Sequence, residues 1–278
     1  MEKREIRLIA LDLDGTLLRT DKSLSERNRL ALEKAHEKGI HIVPTTGRFY
    51  GGMPQCIRDL PFVRYCVTIN GAEVVDLQEN RVIYSATIPC KQAVEIMEKL
   101  DEYPALYDCY QENDSFMTAS LREKALTTIR DVHFRNMVRD LRKPVEDLKT
   151  FLRERNRPLQ KIQFFIHEPE TRAYLMENLP LWFPHTCVTS SVEENVEINH
   201  EHAHKSAALC ALAEHLGFTK NEILAFGDGE NDISMLRDMG LGVAMANACQ
   251  NALDAAEYRT LSNDEDGVAK GIEEFCNL

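Results

Sequence analysis

Short apolar runs broken by polar turns set the rhythm of the first eighty residues. Residues 7–11 form an apolar run that ends at Asp12, which predicts a buried strand. Ser23 and Glu26 stand in a capping-box pattern, and the helix they predict continues through Lys38 to a stop at Gly39. A second strand is expected over residues 40–43, followed by the polar turn Thr45-Thr46-Gly47-Arg48. Residues 63–69 predict a third strand. Asn70-Gly71 then turns the chain, and residues 73–75 are expected to pair with 82–84 as a hairpin turning at 78–80. Strand, helix and strand joined by short turns imply right-handed parallel crossovers.

The rhythm changes after Tyr84. Helices are predicted over residues 90–100, 145–155 (begun near Pro144) and 170–178. Short strands are predicted over 106–110, 115–119, 161–166, 186–190 and 195–198, mostly in antiparallel pairing. The parallel rhythm returns with a helix from Lys205 to Leu216 and a strand over 223–226. The chain therefore reads as a doubly wound, Rossmann-like α/β domain, residues 1–84 and 191–278. An inserted α+β domain, residues 85–190, interrupts it.

Composition narrows what this organisation can serve. Of 278 residues, 44% are hydrophobic and 28% charged, an ordinary globular balance. Thirty-three Lys and Arg against forty-five Asp and Glu leave a net charge of −12, which argues against nonspecific nucleic-acid binding. No apolar run approaches the roughly 18–20 residues of a membrane span. The charged start, its apolar run cut by Asp12, does not read as a signal peptide. The eight cysteines include no C-x-x-C pair, and several stand in apolar segments. Buried free thiols in a cytoplasmic protein are expected, not a disulfide framework.

Candidate chemistry sits where strands end. Asp12 and Asp14 follow the first strand as D-L-D-G-T, two apart, so their side chains start on one side of an extended chain. The strand over 223–226 runs into Gly227-Asp228-Gly229-Glu230-Asn231-Asp232. Open α/β sheets bind ligands at the carboxyl ends of their strands. Like charges gathered there repel without a cation, and carboxylates, water and a phosphate oxygen are the ligands Mg²⁺ takes. D-G is also a common solvent-facing turn pair; two such acidic turns in one α/β domain, with the TTGR turn, favour a site.

D-L-D-G-T-L at Asp12 to Leu17, T-T-G-R at Thr45 to Arg48, Lys205, and G-D-G-E-N-D-I-S-M-L at Gly227 to Leu236 together resemble the four motifs of haloacid dehalogenase-type phosphohydrolases. The tail stretches GLGVAMANA and SNDEDGVAKGIE are similar to the ending of the Cof-type branch, which carries a large α/β cap. The resemblance covers the core end to end. In the insert it extends to size and position, not to residues. It implies an Mg²⁺-dependent phosphatase acting on small phosphorylated metabolites, sugar phosphates or similar. Asp12 would be the nucleophile that forms an aspartyl phosphate, and Asp14 the general acid/base. Mg²⁺ would be held by Asp12, the Asp14 backbone carbonyl and Asp228, with Asp232 acting through water. Thr46, the Gly47 backbone, Lys205 and Asn231 would hold the phosphate. Arg48 is expected to brace its loop. The cap would close over the site and set specificity.

The stretch before Lys205 departs from the family's usual pattern: Ile198-Asn199-His200-Glu201-His202-Ala203-His204 leaves the loop geometry and the roles of His200, His202 and His204 open. It also contains H-E-x-x-H, which on a helix would mark a zinc peptidase with Glu222 as a further ligand. A strand end before it and a turn around Glu222 argue against that. Two other readings remain beside the phosphatase: a phosphomutase of the same capped plan, and a noncatalytic phosphate-ligand sensor, against which both Asp12 and Asp14 speak.

Overall fold

In a computed structural model, which describes residues 5–190 and 194–276, the chain divides into two units. The first comprises the residues up to Arg48, Met53–Ser85, and those from His204 onward; the second comprises Phe49–Gly52 and Ala86–Ala203. The first unit opens with β1 (Leu8–Leu11), α1 (Glu26–Glu37), β2 (His41–Pro44), α2 (Gln55–Arg58), β3 (Tyr65–Thr68), β4 (Glu73–Asp76) and β5 (Arg81–Ser85). The second carries α3 (Cys90–Leu100), β6 (Leu106–Gln111), β7 (Asp114–Thr118), α4 (Ala119–Thr128), α5 (Val132–Leu141), β8 (Arg142–Val145), α6 (Leu148–Arg155), β9 (Lys161–Phe165), α7 (Pro169–Trp182), β10 (Thr186–Thr189) and β11 (Asn195–His200). The first unit then resumes with α8 (Lys205–Leu216), β12 (Ile223–Gly227), α9 (Ile233–Asp238), β13 (Leu241–Ala244), α10 (Gln250–Ala255), β14 (Tyr258–Arg259) and α11 (Gly267–Phe275).

The first unit is built on a parallel sheet in the order β14-β13-β12-β1-β2. The chain leaves β1 toward β2 and later returns to β12 on the other side of β1. That reversal opens a crevice at the carboxyl ends of β1 and β12. Leu8, Ala10, Ile223 and Ala225 face one side and pack against Ala208, Leu209 and Leu212 of α8 and Met235 of α9. Alternate residues face the other side. There Asn28 of α1 accepts from the Ala269 N–H of α11 at 2.9 Å. Helices thus cover both faces, as an all-parallel sheet requires. β3 belongs instead to an antiparallel sheet with β4 and β5, joined to the end of β2 by one parallel bridge, Thr45–Val67.

The second unit holds a six-stranded sheet, β10-β11-β9-β6-β7-β8, antiparallel except between β7 and β8. Tyr107, Cys109, Ile162, Phe164, Val196 and Ile198 fill one face and pack with α3, α6 and α7. On the opposite face Leu106, Met117 and Phe165 meet Ala125 of α4 and Val138 of α5.

Several expectations shift. The cap of α1 is Ser25, whose hydroxyl accepts from the Asn28 N–H; Ser23 is engaged by Asp21 through both its N–H and its hydroxyl. The helix expected over 145–155 begins only at Leu148, capped by Asp147. Pro144 lies in edge strand β8, where a missing N–H is tolerated. The insert extends to Ala203 because β11 continues to His200; the crossing expected at Ser191 falls outside the described residues. All eight cysteines are free, but Cys56, Cys187 and Cys210 are exposed, not buried. Among the described residues, no helix is long and apolar enough to cross a membrane.

Candidate active site

The site grows from the end of β1. The Asp12 N–H donates to the Phe226 carbonyl at 3.0 Å, so Asp12 leaves the sheet beside the end of β12. The chain then curls tightly: Leu17 N–H returns to the Asp12 carbonyl and Leu18 N–H to that of Leu13. Gly15 takes a positive φ of 84°, and a Cβ there would lie 2.3 Å from Asp228 Oδ2. Only glycine satisfies both conditions. Thr16 donates its hydroxyl to Asp228 Oδ1 at 2.6 Å.

From β12 the G-D-G-E-N-D loop is folded by Asp232. Its Oδ2 accepts the N–H groups of Asp228 and Gly229, each at 2.9 Å. Its Oδ1 accepts from Lys205, whose ammonium also donates to Asp12 Oδ1, at 2.5 and 2.6 Å respectively. Lys205 is fully buried at the start of α8. Asp12, Asp228 and Asp232 each bring a carboxylate oxygen within 4.8 Å of the others.

Burial pushes the Asp12 carboxyl well above its ordinary value. Lys205 opposes that shift; Asp232 and Asp228 add to it. Asp228 is pushed up to about 6, by burial first and by Asp232, against the hydrogen bond from Thr16. Burial disfavours the Lys205 ammonium, but Asp12 and Asp232 outweigh it and hold the group above its usual range. Hard oxygen donors whose ionisation is costly when unaccompanied are a fitting set for Mg²⁺.

A stability prediction follows from Asp228. Its folded pKa lies above the unfolded one, so the ionised form costs stability at neutral pH. The stability is whole below about pH 4 and is lost as pH rises through about 6. Asp228→Asn should therefore raise Tm at pH 7.5 in chelator by a few degrees, for about 1 kcal/mol. The gain should close at pH 4. Thermal melts at both pH values check this, and a lower Tm at pH 7.5 would contradict it.

Asp14 lies outside this group of three. Arg48 grips it with Nε on Oδ2 at 2.7 Å and Nη2 on Oδ1 at 3.0 Å, and Lys22 adds a bond to Oδ1 at 2.8 Å. Burial alone would raise its pKa, but Arg48 and Lys22 together hold it at about 2. Arg48 therefore fixes the Asp14 side chain, a more specific task than bracing its loop.

The Thr46–Gly47 turn hangs on the end of β3. Thr46 N–H donates to Val67, and Asn70 and Ile69 N–H groups return to the carbonyls of Thr46 and Arg48. A side chain at Gly47 would meet Asn70 Oδ1 at 2.8 Å. The same Oδ1 accepts from Asn231 at 3.0 Å. Asn70 thus joins the two loops, from a left-handed backbone (φ 57°) that follows another at Ile69 (φ 51°). A β-branched residue there costs about 1–3 kcal/mol, and such strain gathers at functional sites. Asn247 braces the same end of the unit: its Nδ2 donates to the Gly15 carbonyl, and its Oδ1 accepts from Asn263 N–H. Sequence reasoning read Asn70 only as part of a turn and Asn247 only as part of a tail stretch, and gave neither a place beside the site.

The H-E-x-x-H stretch does not share a helix face. His200 ends β11, while His204 N-caps α8 with Nδ1 accepting from Ala207 N–H at 3.2 Å. Glu201 pairs with His185, His202 N–H donates to His200 Nδ1, and Glu222 is engaged by Thr219.

A model of the haloacid dehalogenase-like hydrolase family matches residues 9–272. The 5-amino-6-(5-phospho-D-ribitylamino)uracil phosphatase YcsE of Bacillus subtilis is 30% identical, over 99% of this chain and 97% of its own. The phosphatase YwpJ of the same organism is 31% identical, over 95% of this chain and 98% of its own. Among solved structures, the phosphatase BT1666 of Bacteroides thetaiotaomicron superposes with a TM-score of 0.81 at 28% identity, covering 99% of this chain and 96% of that one.

Proposed function

The chain belongs to the haloacid dehalogenase-like hydrolases, in their Cof-type branch, and is a phosphatase; from that premise we propose that it hydrolyses small phosphorylated metabolites, sugar phosphates or similar, through an aspartyl phosphate on Asp12 with Mg²⁺ as cofactor. The observation that carries this reading is the buried Asp12 carboxylate, one oxygen on Lys205, beside Asp228 and Asp232 at the carboxyl end of a parallel sheet.

In this reading Asp12 attacks phosphorus as the ester oxygen departs, giving an acyl phosphate that water then cleaves. Lys205 neutralises charge on the transferring oxygens. Thr46, the Gly47 backbone and Asn231 orient them. Asp12, Asp228 and the Asp14 carbonyl would hold Mg²⁺, with Asp232 through water; when bound, the ion supplies further charge neutralisation and alignment. Asp14 protonates the leaving oxygen and then takes a proton from water. Paired with Arg48 and Lys22 it is ionised at neutral pH, which suits the second step. To serve as the acid it must first leave those partners and take up a proton from solvent, which it then gives to the departing ester oxygen. We assign the chemistry to the first unit and selectivity among substrates to the inserted one.

A phosphate-release screen over sugar phosphates, nucleotides and cofactor phosphates tests the proposal. The phosphoribitylamino compound for which the Bacillus relative is named belongs in it. Release should stop in chelator and return with Mg²⁺, and Ca²⁺ should support it poorly because of its looser coordination. Full activity in excess chelator would overturn the metal assignment. Asp14→Asn should lower kcat by roughly 10²–10⁴-fold with the fold intact. A near-parental rate would remove Asp14 as the proton carrier.

A further inference from the structure

The hairpin that follows the D-x-D turn carries a residue that the fold alone does not ask for. Leu18 pairs antiparallel with Leu24, Arg19 N–H donates to the Ser23 carbonyl at 2.9 Å, and Lys22 N–H donates to that of Arg19 at 2.8 Å. The loop between them is Thr20-Asp21-Lys22. Its last position has a left-handed backbone, φ 68°, where three-residue hairpin loops favour glycine. Here it is a lysine. A Cβ in that conformation crowds the following carbonyl oxygen. The Lys22 side chain is 48% exposed, and an ion pair so open to water adds too little stability to offset the strain. Strain kept in this way gathers where the position of a side chain matters to function.

The far end of the chain fixes the hairpin. Asn263 Nδ2 donates to the Leu18 carbonyl at 3.0 Å. Asp264 accepts the Thr20 N–H at 2.9 Å and the Thr20 hydroxyl at 2.7 Å. Asp266 accepts from Arg19 Nη2 at 3.0 Å. One loop thus holds Leu18, Arg19 and Thr20, and the turn they enter carries Lys22 at its tip. From there the ammonium reaches Asp14 Oδ1 at 2.8 Å, while Arg48 spans both oxygens of the same carboxylate. Of those three bonds, two fall on Oδ1 and one on Oδ2. A carboxylate oxygen has about two acceptor sites, so the lysine completes Oδ1 and leaves Oδ2 the oxygen with room to accept.

We propose that Lys22 is a positioning residue for Asp14: it engages Oδ1, holds the carboxylate in one rotation, and so reserves Oδ2 for the water that cleaves the aspartyl phosphate. This role rests on the phosphatase reading. In that step the water oxygen bonds to phosphorus as the bond from phosphorus to the Asp12 oxygen breaks and returns its electron pair to the Asp12 carboxylate. The water's proton passes to Asp14 Oδ2 and leaves from there to solvent. Formation of the aspartyl phosphate from p-nitrophenyl phosphate needs no proton from Asp14, because that leaving group departs as the anion. Lys22 therefore serves the second half of the reaction with this ester and not the first.

Three variants of the full-length protein, assayed on p-nitrophenyl phosphate with Mg²⁺, test the role. Lys22→Gly removes the ammonium and the strain together, Lys22→Met removes the ammonium alone, and Lys22→Arg keeps a cation. The glycine and methionine variants should each lose about tenfold in kcat, the share of one hydrogen bond to a charged group. KM should fall by the same factor, because kcat/KM reports only the phosphorylation half. Acid-quenched Lys22→Gly should carry more hydroxylamine-labile phosphate on Asp12 than the parent does, and Lys22→Arg should recover most of the rate. The Tm of Lys22→Gly should be no lower than the parent's, since glycine takes this backbone without strain. Slower turnover in a protein at least as stable is a pairing that a merely structural lysine would not give. Parental kcat in Lys22→Gly, or a rate for Lys22→Arg as low as that of glycine, overturns the proposal. So does a loss of kcat/KM as large as that of kcat, or a lower Tm in Lys22→Gly, either of which makes the lysine part of the scaffold. Failure of the phosphatase reading looks different: the parent itself then turns over no ester, whereas an active parent with unaffected variants overturns the role of Lys22 alone.

Discussion

Asp12→Asn is expected to reduce phosphate release to the uncatalysed background while the chain stays folded. The amide is nearly isosteric with the carboxylate and its oxygen can still accept from Lys205, which keeps its second partner, Asp232. What disappears is the nucleophile: an amide oxygen is too weak a base to attack a phosphoryl group. The fold gains if anything, because Asp12 ionises against its burial and against Asp232 and Asp228. Trapping the intermediate makes the test specific. In Asp14→Asn with p-nitrophenyl phosphate, whose leaving group departs without a proton from an acid, Asp12 can still be phosphorylated while water is no longer activated, so acid-quenched protein should carry a hydroxylamine-labile phosphoryl group on Asp12. The Asp12→Asn/Asp14→Asn double variant should carry none. An active Asp12→Asn enzyme, or no label on Asp12 when turnover is slowed in this way, would mean that water attacks phosphorus directly.

The parts of this site that were legible in the sequence are those whose signal is local. Asp12, Asp14 and Gly15 announce themselves by spacing at the end of an apolar run, as do Asp228 and Asp232. Lys205 does not: it lies 193 residues from Asp12, and only the order of motifs singled it out. Asn70 was hidden because Asn-Gly after a strand has an ordinary meaning, a turn, which it also has here. Its side chain joining Gly47 to Asn231 is a tertiary fact. α4 escaped notice because Ala125 is its only buried residue, so it has almost no apolar stripe to detect. The alternation Lys161-Ile162-Gln163-Phe164 marked β9 correctly, but such alternation normally means a solvated polar face. The structure buries Lys161 and Gln163. A binary pattern shows which residues share a face and says nothing of what that face meets.

Lys205→Met is the other change with a large expected effect, and it should act on stability and turnover at once. Methionine nearly conserves the side-chain volume, so packing is spared and the charge is the variable. The ammonium is the cation bridging Asp12 and Asp232 through hydrogen bonds. Removing it leaves buried carboxylates uncompensated, which typically costs about 3–5 kcal/mol, or roughly 10 °C in Tm. The sign of the pH dependence follows from the pKa directions. Lys205 is held above its ordinary value, so its contribution is whole at neutral pH and fades only as pH rises past that of a free lysine. Asp12 is already raised, and without Lys205 it rises further, so at lower pH it takes up a proton and the deficit shrinks. The Tm difference between parent and variant should therefore be large at pH 8 and small at pH 5, in chelator to keep metal out of the comparison. Turnover should fall by roughly 10²–10³-fold, the usual effect of losing one donor to a developing oxyanion. An equal Tm loss at both pH values would mean that the lysine matters through packing. Parental turnover in the variant would take the ammonium out of the phosphate site altogether, and leave the buried bridge to Asp12 and Asp232 as a device for holding two strand ends together.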